Sequence, residues 1–159
     1  MRVARVFIDT NILLYAHDSR DPEKAAVSKD WLLELASRRI GVVNMQVLNE
    51  FTAVLLRKKW YSSVTEAFTA ADLYSTLGTT PVTGREVARA RQLHASTGYS
   101  WWDCILLASA VELGCSHFLS EDLQDAHEMK SHKVEGHKVK GLTIVDPFAH
   151  SPGHILHSR

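Results

Sequence analysis

The sequence predicts an α/β fold: one domain in three α/β/α layers, with a central, mainly parallel sheet of four to five short strands. Three observations carry this. Short β-branched runs alternate with longer amphipathic segments, the pattern of strands joined by helical crossovers. The amphipathic segments open on capping residues and close on glycine or basic residues, so they are helices with defined ends. The chain has 159 residues, enough for a single well-buried core, with an ordinary 45% hydrophobic and 23% charged composition.

The first strand is Val3 to Ile8, and Asp9 follows it at once. In open parallel sheets ligands bind beyond the carboxyl ends of strands, so a carboxylate there is well placed for chemistry. Thr10 and Asn11 lead into the apolar run Ile12 to Ala16. Asp21 caps the next helix with Pro22 in its first turn, and Val27, Trp31 and Leu35 form its buried stripe. Ile40 to Val43 is a second strand. Asn44 caps a helix from Met45 to about Lys59, with Val47, Leu48, Phe51, Val54 and Leu55 inward and Arg57-Lys58-Lys59 at its negative end.

Ser63 to Glu66 and Thr83 to Glu86 are capping boxes that open helices through Tyr74 and to about Thr97. Pro81-Val82 between them reads as a third, minimal strand. Gly98 ends the second of these helices. Ser100 to Asp103 is another capping box. Its helix runs to Leu113, is apolar on nearly every side from Ile105 to Val111, and is therefore central. Ser116 to Ser120 and Leu142 to Val145 are the last two strands. The domain spans residues 1–148, and residues 149–159 read as a flexible, histidine-rich tail.

Composition narrows the function classes. Basic and acidic residues balance at 18 each, so nucleic-acid binding must come from a local patch. No apolar run approaches the ~20 residues of a membrane span, and Asp9 interrupts any signal-type segment. Cys104 and Cys115 on one helix would lie roughly 16 Å apart, too far for a disulfide. A reduced, cytoplasmic setting follows from this usage.

Four acids share a pattern. Asp9 and Asp122 lie just past strands, Asp103 sits in the first turn of the central helix, and Glu50 lies among apolar helix neighbours. Two such charges about 4 Å apart repel by ~4 kcal/mol at an effective dielectric of 20, so a cluster needs protons or divalent cations. Hard oxygen ligands favour Mg²⁺ or Mn²⁺ over Zn²⁺, and no Cys/His set at zinc spacing or glycine-rich phosphate loop is visible. Each acid also has a plain structural reading: Asp9 and Asp122 as turn residues, Asp103 as a cap, Glu50 as a solvated helix residue. Trp101 and Trp102 read as anchors of the core or of a subunit contact, with base stacking the lesser reading. The late histidines (His127, His132, His137, His150, His154, His157) match no common metal spacing and read as a solvated segment.

Four stretches, in order, resemble the PIN-domain ribonucleases. Phe7 to Ala16 is similar to their opening motif. Gln46 to Phe51 resembles the second, with Glu50 as its acid. Ser100 to Ala110 resembles the third and Leu119 to Asp125 the fourth. Gly141 to Phe148 looks like the family's last strand, and the size resembles the VapC-type toxins of toxin–antitoxin pairs. The resemblance implies a PIN-like fold and metal-dependent endonucleolytic cleavage of RNA, with Asp9, Glu50, Asp103 and Asp122 as the metal-binding and catalytic acids. Asp9 and Asp103 would be direct ligands, and Glu50 and Asp122 would complete the shell or hold its water. Thr10, Asn11 and Ser120 would orient them by hydrogen bonds. It also implies a homodimer and a small antitoxin whose tail blocks the site.

Three features depart from the family pattern. Ala126 stands where relatives often have glycine, residues 126–140 are long and basic, and Asp146 replaces a common asparagine. Either Asp122 or Asp125 then faces the metal. The basic stretch, with Arg85 and Arg89 one turn apart, is expected to meet RNA phosphates. Two other functions compete. A catalytically silent RNA-binding or regulatory module would tolerate loss of these acids, yet all four are present. A phosphatase using an aspartyl nucleophile would want a second Asp where Asn11 stands.

Overall fold

The computed structural model describes residues 4–121, 123 and 142–157. Four strands form one sheet in the order β2-β1-β3-β4, every pair parallel. They are β1 (Val6–Ile8), β2 (Gly41–Val42), β3 (His117–Leu119) and β4 (Thr143–Val145). Phe7 stands opposite Val42 on one side and Phe118 on the other, and Phe118 opposite Ile144. The Phe7 and Phe118 rings stack with centroids 5.5 Å apart. β1 is buried along its length, as a strand covered on both faces must be.

The described residues also contain α1 (Thr10–His17), α2 (Pro22–Ser37), α3 (Met45–Lys58), α4 (Val64–Ser75), α5 (Gly84–Thr97), α6 (Trp101–Glu112) and α7 (Pro152–His157). The caps read from sequence are present. Asp21 accepts from the Lys24 amide, Asn44 from Val47, Ser63 from Glu66 and Ser100 from Asp103. Thr83 and Glu86 form the full reciprocal box. At α4 the Glu66 carboxylate reaches one residue further back than expected, to the amide and hydroxyl of Ser62. Cys104 to Ala110 of α6 are all buried, which makes α6 the central helix as expected.

Pro81-Val82 is not a strand. Leu77 and Thr80 instead offer their carbonyls to the amides of Val43 and Met45, just past β2. Proline has no N–H to return to a ladder. Gly78 holds φ +142° with its α-carbon against Val43, where an added Cβ would lie 2.3 Å from the Val43 carbonyl oxygen. The segment follows the β2 end as a loop because these two residues cannot propagate pairing.

Where the sequence reads as a loose tail, α7 presents Ile155 and Leu156 to the core. Trp31 of α2 is fully buried, and its Nε1 donates to the carbonyls of Pro147 and His150, 3.1 Å each. Cys115 lies past the Gly114 stop, off the helix that carries Cys104. Both are buried free thiols, pushed by burial up to about 11. No helix among the described residues is long and apolar enough to cross a membrane.

His17 ends α1 between two tyrosines. Its Nδ1 is 2.6 Å from the Tyr61 hydroxyl and its Nε2 2.7 Å from that of Tyr74, with Phe51 edge-on beneath. Burial, with a smaller push from Lys29, holds the imidazole below the ordinary histidine range. The neutral ring is therefore the native form. Below about pH 6.5 the unfolded chain binds the proton more readily than the native one, so stability decreases as the pH is lowered. Urea midpoints at pH 7.5 and 5.5 should drop for the wild type and drop less for His17→Gln. Equal drops would assign the pH dependence to other groups.

Candidate active site

The carboxyl ends of β1 and β3 lie side by side because the strands are parallel and in register. The Asp9 amide donates to the Leu119 carbonyl at 3.0 Å, and the Ser120 hydroxyl donates to Asp9 Oδ2 at 2.8 Å. Asp9 is buried and caps α1 in an extended conformation. Its burial as a carboxylate requires hydrogen bonds or a cation, since an unsatisfied buried charge is costly.

Glu50 comes to the same place from α3. Thr10, the first residue of α1, donates its hydroxyl to Oε2 at 2.7 Å. Gln46, one helical turn before Glu50, donates Nε2 to Oε1 at 2.9 Å. Both carboxylate oxygens are thus oriented. Asp103 arrives in the first turn of α6, with its backbone amide on the Ser100 cap.

These three acids line one cavity of about 300 Å³. Thr10 and Asn11 line it too, with Leu14, Val54 and Leu106 as apolar wall and Arg57 and Trp102 completing it. The structure brings together Asp9, Thr10, Asn11, Glu50 and Asp103, and ties Ser120 to Asp9. Asp122, Asp125 and the 126–140 stretch lie outside the described residues.

The polar lining fits a hard divalent cation by its chemistry. It consists of carboxylate, hydroxyl and amide groups beside one guanidinium, with no thiol or imidazole. Among the described residues no three His, Cys, Asp or Glu side chains already stand as a metal-holding group. Asp9 and Glu50 instead lean on the hydroxyls of Ser120 and Thr10, a configuration that separate hydrogen-bond donors stabilise when like charges share a cavity.

Several neighbours have other duties. Glu121 accepts from Lys24 at 2.6 Å and from the Tyr15 hydroxyl at 2.6 Å. Burial pushes its carboxyl up, and these two donors more than reverse the shift. Arg89 and Arg85 pair with Glu112 of α6, at 2.9 and 3.3 Å. They bridge α5 to α6, an ion-pairing role that their spacing alone did not reveal. Asp146 accepts from the Phe148 amide and holds the turn after β4. Trp101 packs against the core as read, whereas Trp102 is 59% exposed on the cavity rim. Gln46 and Arg57 had a sequence signal in their spacing from Glu50 on one helix; that Trp102 rather than Trp101 lines this cavity depends on how the helices meet. A larger groove of about 1010 Å³ between α1, α2 and Tyr74 contains none of Asp9, Glu50 or Asp103.

Comparison with known proteins identifies the fold. A chain of the Rickettsia felis VapBC2 complex, determined bound to a DNA fragment from its promoter, superposes with a TM-score of 0.59 at 11% identity. The match covers 89% of this chain and 97% of that one. Mycobacterium tuberculosis VapC20, a toxin that cleaves the sarcin-ricin loop, superposes with a TM-score of 0.56 at 20% identity, covering 76% of this chain and 94% of that one. No curated protein matches in sequence. The signature of the PIN domain matches residues 6–128, and this chain belongs to the PIN domain family.

Proposed function

We propose that this protein is a Mg²⁺- or Mn²⁺-dependent endoribonuclease, the toxin of a toxin–antitoxin pair, hydrolysing RNA phosphodiesters at the cavity of Asp9, Glu50 and Asp103. One observation carries the reading. Three acids from distant parts of a PIN-domain chain line a single cavity whose polar groups suit a hard cation. The likeness to VapC20 and to the VapBC2 complex supports the toxin assignment.

When bound, the cation supplies positive charge to the phosphodiester and acidifies water beside it. The chain's own residues do the rest. Asp9 and Asp103 would hold the ion, with Glu50 and Asp122 completing the shell or holding its water. Ser120 fixes Asp9, and Thr10 and Gln46 fix Glu50, so little reorganisation is needed. Leu14, Val54 and Leu106 limit bulk water at one wall. We place the protein in the cytoplasm as a homodimer, held inactive by a small antitoxin whose tail enters the cavity.

The test is cleavage of labelled total RNA by the full chain, freed of antitoxin, with Mg²⁺ or Mn²⁺ and beside EDTA. Discrete cuts that vanish in EDTA are expected. Intact RNA at every metal concentration would overturn the assignment. Within it, Gln46→Leu should weaken Mn²⁺ binding by about 10–100-fold, the usual cost of losing a group that orients a ligand. Calorimetric titration reads this directly, and an unchanged affinity would remove Gln46 from the site.

A further inference from the structure

The two helices that bring Glu50 and Asp103 to the cavity each bring a second side chain to it. On α3, Arg57 lies two turns after Glu50 and therefore on the same side of the helix. On α6, Trp102 directly precedes Asp103. Both line the cavity of the acids.

Trp102 is the unusual one. Its neighbour Trp101 is packed against the core, while Trp102 leaves 59% of its surface in water. Open indole surface gives up burial that the fold could have used. Arg57 is exposed and is the only cation among the described residues that line the cavity. Arg20, Arg38, Arg85 and Arg89 all hold a carboxylate. Arg57 forms no ion pair with a described residue, although three acids share its cavity. A planar, always charged guanidinium is suited to a phosphate. An exposed indole is suited to a nucleobase, whose face it meets without regard to sequence.

We infer that Trp102 and Arg57 form a nucleotide-holding rim on the cavity: Trp102 stacks on an unstacked base beside the cut, and Arg57 takes an adjoining backbone phosphate. The inference rests on the nuclease reading above and extends it to two residues that hold the RNA without touching the metal. The stack fixes where the backbone crosses the acids, so Trp102 sets which bond is presented.

Binding without turnover tests it. A fluorescein-labelled single-stranded RNA is titrated in EDTA with the full chain freed of antitoxin, and anisotropy and tryptophan quenching are read together. Trp102→Ala should weaken binding by about 5- to 150-fold, the range of one base–aromatic stack. Trp102→Phe should restore most of it. Arg57→Gln should weaken binding and lower the slope of log affinity against log salt by about 0.7, one phosphate contact on a single strand. Wild-type binding matched by both Trp102→Ala and Arg57→Gln would overturn the rim and leave the nuclease reading standing. No binding by the wild type would also overturn the rim, while the nuclease reading is decided by the cleavage assay above.

Discussion

Asp9→Asn is expected to lower the rate of RNA cleavage by about 10²–10³-fold, the scale of removing one preorganised electrostatic group from an active site. The substitution keeps the shape and an oxygen that the Ser120 hydroxyl, now 2.8 Å from Oδ2, can still reach. It removes the charge. The fold should be unaffected or slightly steadier, because a buried carboxylate is lost from a cavity that it shares with two others. Asp103→Asn should behave alike, and the double variant should be little worse than either single one, since groups acting on one ion fail together. Single-turnover rates in Mn²⁺, with thermal melting as the control for folding, decide it. A folded Asp9→Asn protein that cuts at the wild-type rate would move the chemistry away from this cavity.

Trp31→Ala should cost about 3–5 kcal/mol of unfolding free energy, the usual loss when a buried tryptophan leaves a cavity. A domain of this kind has about 5–15 kcal/mol to lose. Trp31 is among the largest fully buried side chains, and it also carries two hydrogen bonds to the segment that follows β4. Removing it should free that segment as well as weaken the core. Urea unfolding gives the first effect, and faster proteolysis near Pro147–His150 gives the second. Trp31→Phe keeps most of the packing and loses the N–H, so it should show much of the second effect and less of the first. An unfolding midpoint within error of wild type would mean that the packing around position 31 contributes little to stability.

The parts of this structure legible in the sequence are those set by neighbours along the chain. Helix starts were readable because Asp21, Asn44, Ser63, Thr83 and Ser100 bond to amides two or three residues away. Asp9 was readable because a strand end leaves a carboxylate few other uses. Pro81-Val82 looked like a strand because the segment does run beside the β2 end, and only Gly78 and Pro81 reveal that it cannot pair. Contacts set by packing were hidden. Arg89 meets Glu112 across 23 positions and Trp31 meets His150 across 119. Nothing local told Trp101, turned to the core, from Trp102, turned to the cavity. The meeting of Asp9, Glu50 and Asp103 was suggested by the family motifs, but their shared cavity is a property of the folded sheet.

The hydrogen bond between Ser120 and Asp9 joins residues 111 positions apart. It has a consequence for the protein's birth. Of the described strands β1 is translated first, yet its neighbour β3 and the serine that fixes Asp9 come last among the described parts of the site. At about 5–20 residues per second, synthesis takes roughly 6–22 s to cover that gap. During that interval the nascent chain has Asp9 but neither its strand partner nor its hydroxyl. A chain that stops before Ser120 has the residues that line the cavity but lacks β4 and the hydroxyl that holds Asp9. The order of the strands thus sets an order of assembly: Asp9 waits for β3 and Ser120 before its surroundings are complete.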